Sequence, residues 1–134
     1  MARVLIEVCV DCAEGLAEAV AGGADRIELC SALEVGGLTP SVGLMRTASG
    51  CGVPVYAMIR PRAGGFGFSQ EDVAVMLADI AAAREAGLAG VVLGAMRGDG
   101  LDGAMLGTLT VAAQGMGTTL HRARSEERRV GKEC

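Results

Sequence analysis

A chain of 134 residues (13.5 kDa) has room for one domain and is too short for a complete eightfold βα barrel, which takes about 250 residues. Hydrophobic residues make up 51%, mean hydropathy is +0.41, and aromatics are only 2%, so there is material for an aliphatic core; disorder, collagen and a disulfide mini-protein are excluded. The net charge of −4, with a pI near 5.0, argues against a nucleic-acid surface.

The first predicted strand is RVLIEV, residues 3–8, followed by a helix over about 11–21. From there a grammar repeats: an Ala-rich stretch ends in Gly, which suits the left-handed helix cap, and a short β-branched run follows. AEAVAGGAD leads into RIELC, TASGCG into VPVYAMI, AAAREAGLAG into VVLG, and TVAAQGMG into TTLH. The later strands are therefore placed at 26–29, 53–59, 90–93 and 118–121, and the helices at 41–49, 70–86 and 102–114. The helix at 70–86 is the best marked. Ser69 can cap it with Asp72 three residues on, and Val73, Met76, Leu77 and Ile80 form an apolar stripe. Such alternation gives parallel βα units, about five strands and four helices, in either part of a TIM-type barrel or an open doubly wound sheet. No apolar run reaches the roughly 18 residues of a membrane span, and the N-terminus opens on a charged strand without a signal peptide. The chain reads as cytoplasmic, with neither membrane nor nucleic acid as partner.

Parallel αβ proteins bind ligands at the carboxyl ends of their strands. Strand 1 ends Glu7-Val8-Cys9 and strand 2 ends Glu28-Leu29-Cys30, so a Glu-x-Cys pattern occurs twice. Side chains two apart share a face; each Glu and Cys then project together, while Ile6, Val8, Ile27 and Leu29 face the helices. Two soft thiolates on one mouth suit Cu(I), zinc or an iron–sulfur cluster, and two ligands suffice for linear Cu(I). The alternative is that both cysteines are small buried residues. Cys9 and Cys12 form a C-x-x-C without a second pair, a weak zinc or redox signal, and helix capping accounts for Asp11. Arg60 and Arg62, with Gly64 and Gly65 behind them, can clamp an anion; alternatively Arg60 neutralises Glu7 and Glu28. His121, the single histidine, ends strand 5 beside Arg122 and can act in acid–base chemistry, ligate a metal or serve a structural hydrogen bond. Gly36 to Ser41 reads as a loop entering the second helix, its glycines allowing close ligand approach, and Asp102 as a helix cap.

In this order, Glu7-Val8-Cys9, the GADRIELC run at 23–30, Gly36-Gly37-Leu38-Thr39-Pro40-Ser41, Ile59-Arg60-Pro61-Arg62 with Gly64-Gly65-Phe66, Asp99-Gly100-Leu101-Asp102 and His121-Arg122-Ala123 resemble the CutC copper homeostasis family over residues 3–123. The resemblance implies a cytoplasmic TIM-type barrel linked with copper, and it makes Cys9 and Cys30 the candidate Cu(I) ligands. Glu7, Glu28, Arg60, Arg62, His121 and Arg122 then form a polar mouth suited to a small anion. A second expectation follows from that mouth: a barrel enzyme in which Arg60 and Arg62 hold an anionic substrate, Glu7 or Glu28 is the base and His121 the acid.

After His-Arg-Ala the family continues with Phe-Asp and about three more βα units, whereas here RSEERRVGKEC begins. Seven of these eleven residues are charged, and they include the only lysine, Lys132. The tail at 124–134 resembles a translated sequencing adapter. The chain is thus expected to be the first five strands of a longer barrel, 1–123, with a disordered tail foreign to it. A third reading, an inactive gene fragment that aggregates or forms homo-oligomers through its open edges, follows from this.

Overall fold

The computed structural model describes residues 3–121; Arg122 and the 124–134 tail lie outside them. Five parallel strands form one sheet in the order β1 (Glu7–Val10), β2 (Arg26–Leu29), β3 (Val55–Met58), β4 (Gly90–Leu93) and β7 (Gly117–Leu120). Between them run α1 (Ala13–Ala21), α2 (Val42–Ala48), α3 (Gln70–Glu85) and α4 (Gly103–Ala112). Each sequential strand adds beside the last, the winding of a TIM-type barrel, and β1 and β7 are the edges of the described sheet. No helix among the described residues is long and apolar enough to cross a membrane.

Side-chain parity divides the sheet into two faces. Val10, Ile27, Leu29, Val55, Ala57, Ile59, Val91 and Leu93 meet Met45, Met76, Ile80 and Leu109 from the helices in one core. Several of these are wholly buried, and each such aliphatic side chain contributes about 1.5–3 kcal/mol relative to exposure. All four residues of β4 are buried, as expected for a central parallel strand covered on both sides. The apolar stripe expected on α3 supplies Met76 and Ile80, both fully buried. The helix opens with the anticipated capping box: Ser69 Oγ accepts from Asp72 N–H, and Asp72 accepts from Ser69 N–H. Ser41 and Asp102 cap α2 and α4 without the reciprocal bond, their side chains accepting from Leu44 N–H and Met105 N–H.

Two local expectations are corrected, and one element is added. The first strand runs over 7–10 rather than 3–8, because pairing with β2 starts at Glu7. Ile6 is consequently 55% exposed, and Val10 takes the core position expected of it. Asp11 does not cap α1: its Oδ2 accepts from Leu33 N–H, and Cys12 Sγ caps instead, accepting from Gly15 N–H at 3.3 Å. Between Leu93 and Asp102 a two-stranded antiparallel pair is formed, β5 (Met96–Arg97) and β6 (Gly100–Leu101), too short for periodicity to reveal.

Candidate functional site

The face of the sheet turned away from the helices carries the polar residues, in rows fixed by strand register. The lowest row is Glu7 beside Arg26. The next runs Cys9, Glu28, Tyr56, Gly90, Gly117. Continuing the register, Cys30, Met58, Val92 and Thr119 follow, then Arg60, Gly94 and His121 at the carboxyl end. Six of the sequence candidates, Glu7, Cys9, Glu28, Cys30, Arg60 and His121, thus share one face.

The two cysteines lie on neighbouring strands, one row apart. Cys9 donates its S–H to Glu28 Oε2 at 3.0 Å. At the sheet edge the residue is exposed, yet its sulfur is partly withdrawn from water beside Glu28. That desolvation, the hydrogen bond and the charges of Glu28 and Glu7 push its thiol up to about 12. Cys30 is buried beside Met58 and Val92, and burial together with the charges of Glu28, Cys9, Asp11 and Glu7 pushes its thiol to about 12 as well. Both are therefore protonated at neutral pH, and a metal binding them must release two protons. Among the described residues no group of three or more His, Cys, Asp or Glu side chains is arranged to hold a metal ion. The donor set present is a pair of soft sulfurs, which fits a two-coordinate monovalent ion better than four-coordinate zinc.

The arginines are occupied in a different way from that anticipated. Arg60 is buried and reaches loops, not the carboxylates: Nη1 donates to Val35 O at 2.8 Å and Gly37 O at 3.3 Å, and Nη2 to Gly64 O at 2.8 Å. Glu7 pairs instead with Arg26, a residue that sequence reasoning passed over because it precedes the Glu-x-Cys motif. The Arg26 guanidinium also lies over the Tyr56 ring, 4.7 Å from its centroid. Arg62 leaves the sheet face altogether, donating to Asp72 Oδ2 and to the carbonyls of Gly65 and Gly67. His121 is buried against Gly94, its ring 5.0 Å from that of Phe66, which in turn lies under the Arg60 guanidinium at 4.9 Å. Arg60, Phe66 and His121 thereby stack at the carboxyl end of the sheet. Phe66 was legible only as part of a motif, since nothing in its spacing aims it at a histidine 55 positions away.

Asp72 links this loop to α3. The Ser69 backbone N–H, and then Arg62, hold its carboxyl below the ordinary carboxylate range. With the folded value depressed, its contribution is complete above the unfolded pKa and is lost as pH falls through the lower folded value. Ser69→Ala is expected to cost about 1 kcal/mol by chemical denaturation, the ordinary worth of such a cap. Asp72→Asn should flatten the acid limb of the stability–pH profile.

Sequential parallel strand order, helices packed on one face of the sheet and a polar opposite face define a protein of the parallel βα-barrel class. The sequence model of the CutC family matches residues 4–129. CutC family proteins from Sinorhizobium medicae and Caulobacter vibrioides are 66% and 56% identical over 124 and 122 residues, which is 92% and 90% of this chain. The chain spans about half the length of these relatives, 51% and 50%. A CutC structure from Streptococcus agalactiae, described by name as a copper homeostasis protein, superposes with a TM-score of 0.85 at 32% identity; the match covers 90% of this chain and 60% of that one. The chain belongs to the CutC family.

Proposed function

We propose that this chain binds Cu(I) through Cys9 and Cys30 as part of cytoplasmic copper homeostasis. The observation that carries the reading is the placement of two thiols on one face of neighbouring strands, at the carboxyl end where barrels bind ligands. Two sulfurs satisfy Cu(I) in near-linear coordination, and the paired chalcophilic donors discriminate against hard cations. Glu28, already accepting the Cys9 proton in a hydrogen bond, stands where a departing proton can be received. The name borne by the Streptococcus agalactiae relative points the same way.

The geometry supports a small-anion enzyme less well, because the guanidinium donors of Arg62 and several of those of Arg60 are directed at carbonyls and Asp72. Anaerobic Cu(I) competition titration against a chromophoric chelator tests the proposal. One tightly bound ion per chain is expected, lost in the Cys9→Ser/Cys30→Ser variant. Equal retention by wild type and variant would overturn it.

A further inference from the structure

Cys30 is 1% exposed although it directly follows β2 at the carboxyl end of the sheet. What covers it is the segment from Ser31 to Thr39. The backbone of Gly37, at φ +95°, passes so close that a Cβ there would stand 3.2 Å from Cys30 Sγ and 3.7 Å from Met58 Cε. The glycine permits both the left-handed backbone and the close approach. The approach expected for a ligand is thus made to a thiol of the same chain.

The segment is anchored at its two ends and at two points between them. At its base Ser31 and Leu38 exchange two backbone hydrogen bonds, of 2.8 and 2.7 Å. In the middle, Arg60 Nη1 grips the carbonyls of Val35 and Gly37. At the far side Asp11 Oδ2 receives Leu33 N–H at 3.2 Å. At the segment's C-terminal end Thr39 donates its N–H and hydroxyl to the Arg60 carbonyl, its Oγ1 accepts from Arg60 N–H, and its carbonyl accepts from Ser31 Oγ. Between these anchors the apolar side chains are loosely packed. Leu33 and Val35 are 37% and 40% exposed, and Ala32 sits at φ +48°, a conformation that a non-glycine residue keeps only where its surroundings impose it. A segment with little buried apolar area and a few polar anchors opens locally at less cost than the sheet beneath it.

We infer that residues 31–39 form a strap that closes over the Cys30 thiol, with Arg60 and Asp11 as positioning residues that hold it shut. Reagents and metal ions meet Cys9 directly but reach Cys30 only when the strap lifts. The strap itself stands on geometry alone; its bearing on copper entry rests on the reading proposed above.

Pulsed alkylation of the reduced 134-residue chain with N-ethylmaleimide, followed cysteine by cysteine by peptide mass spectrometry, tests this without any metal. In the wild type Cys30 should react far more slowly than Cys9. Asp11→Ala, which removes the acceptor of the Leu33 N–H, should accelerate Cys30 about tenfold, the upper worth of one such hydrogen bond. Gly37→Ala should accelerate it as well, because a Cβ is strained at φ +95° and crowds Cys30 Sγ. Arg60→Gln should do the same, and the other two variants carry the test if it fails to fold. Cys51, half-buried just beyond the C-terminal end of α2 and packed against the main core, should be unchanged and reports global loosening. Because Asp11 also raises the Cys30 pKa, rates are taken across pH: a lifted strap multiplies the rate at every pH, whereas an altered charge moves the profile along the pH axis. Comparable rates at Cys9 and Cys30 in the wild type would overturn the inference. So would unchanged Cys30 rates in Asp11→Ala and Gly37→Ala, a parallel rise at Cys51, or a change confined to a pH shift. Loss of copper binding on removing the cysteines is a separate result, so failure of either idea can be told from failure of the other.

Discussion

Replacing both Cys9 and Cys30 by serine should abolish Cu(I) binding, and either single replacement should weaken it at least about a hundredfold, since a hard hydroxyl is a poor exchange for a soft sulfur. The pH dependence is more diagnostic than the loss. Both thiols are pushed up to about 12, by burial first and by the neighbouring carboxylates after it. Below that value each is protonated, so each Cu(I) bound through both must displace two protons. Apparent affinity should therefore rise with pH throughout the neutral range, approaching about a hundredfold per unit when both protons leave. Glu28→Gln removes the negative charge that raises both thiols and converts the Cys9 acceptor into a neutral one. It should lower the Cys9 pKa, visible in the ultraviolet thiolate absorbance, and tighten copper at neutral pH. A pH-independent affinity would place the copper elsewhere. Serine variants that still bind one equivalent would do the same.

Which parts of this arrangement the sequence displayed follows from the range of the interactions involved. Caps are local: Ser41, Ser69 and Asp102 each sit within three residues of the N–H they accept, so side-chain type and position suffice to find them. Parity is local too, and the alternation Glu7, Cys9 and Glu28, Cys30 places four candidate residues on one face. Asp11 shows where such reasoning stops. It has the right chemistry and nearly the right position for a cap, but Leu33 N–H, 22 residues later, claims its carboxylate. The same holds for Arg60, whose partners Val35 and Gly37 come from a loop that composition marks as ligand-binding. A guanidinium near glycines reads as an anion clamp from sequence, because whether carbonyls or an external anion satisfy its donors is decided only when the loops meet. The register that turns β1 and β2 into one site is likewise non-local, since it depends on where the strand pairing begins.

Gly90 and Gly117 carry the other large effect, and a discriminating one. They lie side by side on the inner face, and the Tyr56 ring occupies the space above them with Arg26 over its opposite side. A Cβ at Gly117 would stand 1.9 Å from the Tyr56 hydroxyl, 2.7 Å from Cζ and 3.1 Å from Cε2, its three nearest neighbours all belonging to that side chain. A Cβ at Gly90 would meet Tyr56 Cε2 at 2.4 Å and also the carbonyl oxygen of Gly117 at 2.5 Å, which is backbone and cannot swing aside. Gly117→Ala should therefore cost about 1–3 kcal/mol, the usual range for overpacking, as the ring is expelled from between the sheet and Arg26. In a Tyr56→Ala background that cost should largely vanish, since no other atom stands so close. Gly90→Ala should cost at least as much and should not be rescued by Tyr56→Ala, because the Gly117 carbonyl remains. Urea denaturation of the single and double variants measures both couplings as a double-mutant cycle. Rescue at both glycines would mean that the backbone here yields, whereas rescue at neither would mean that the ring is not what limits the space. The predicted asymmetry ties the inner face of the sheet to one aromatic residue in a chain that has only three, which is why two adjacent strands can dispense with side chains there.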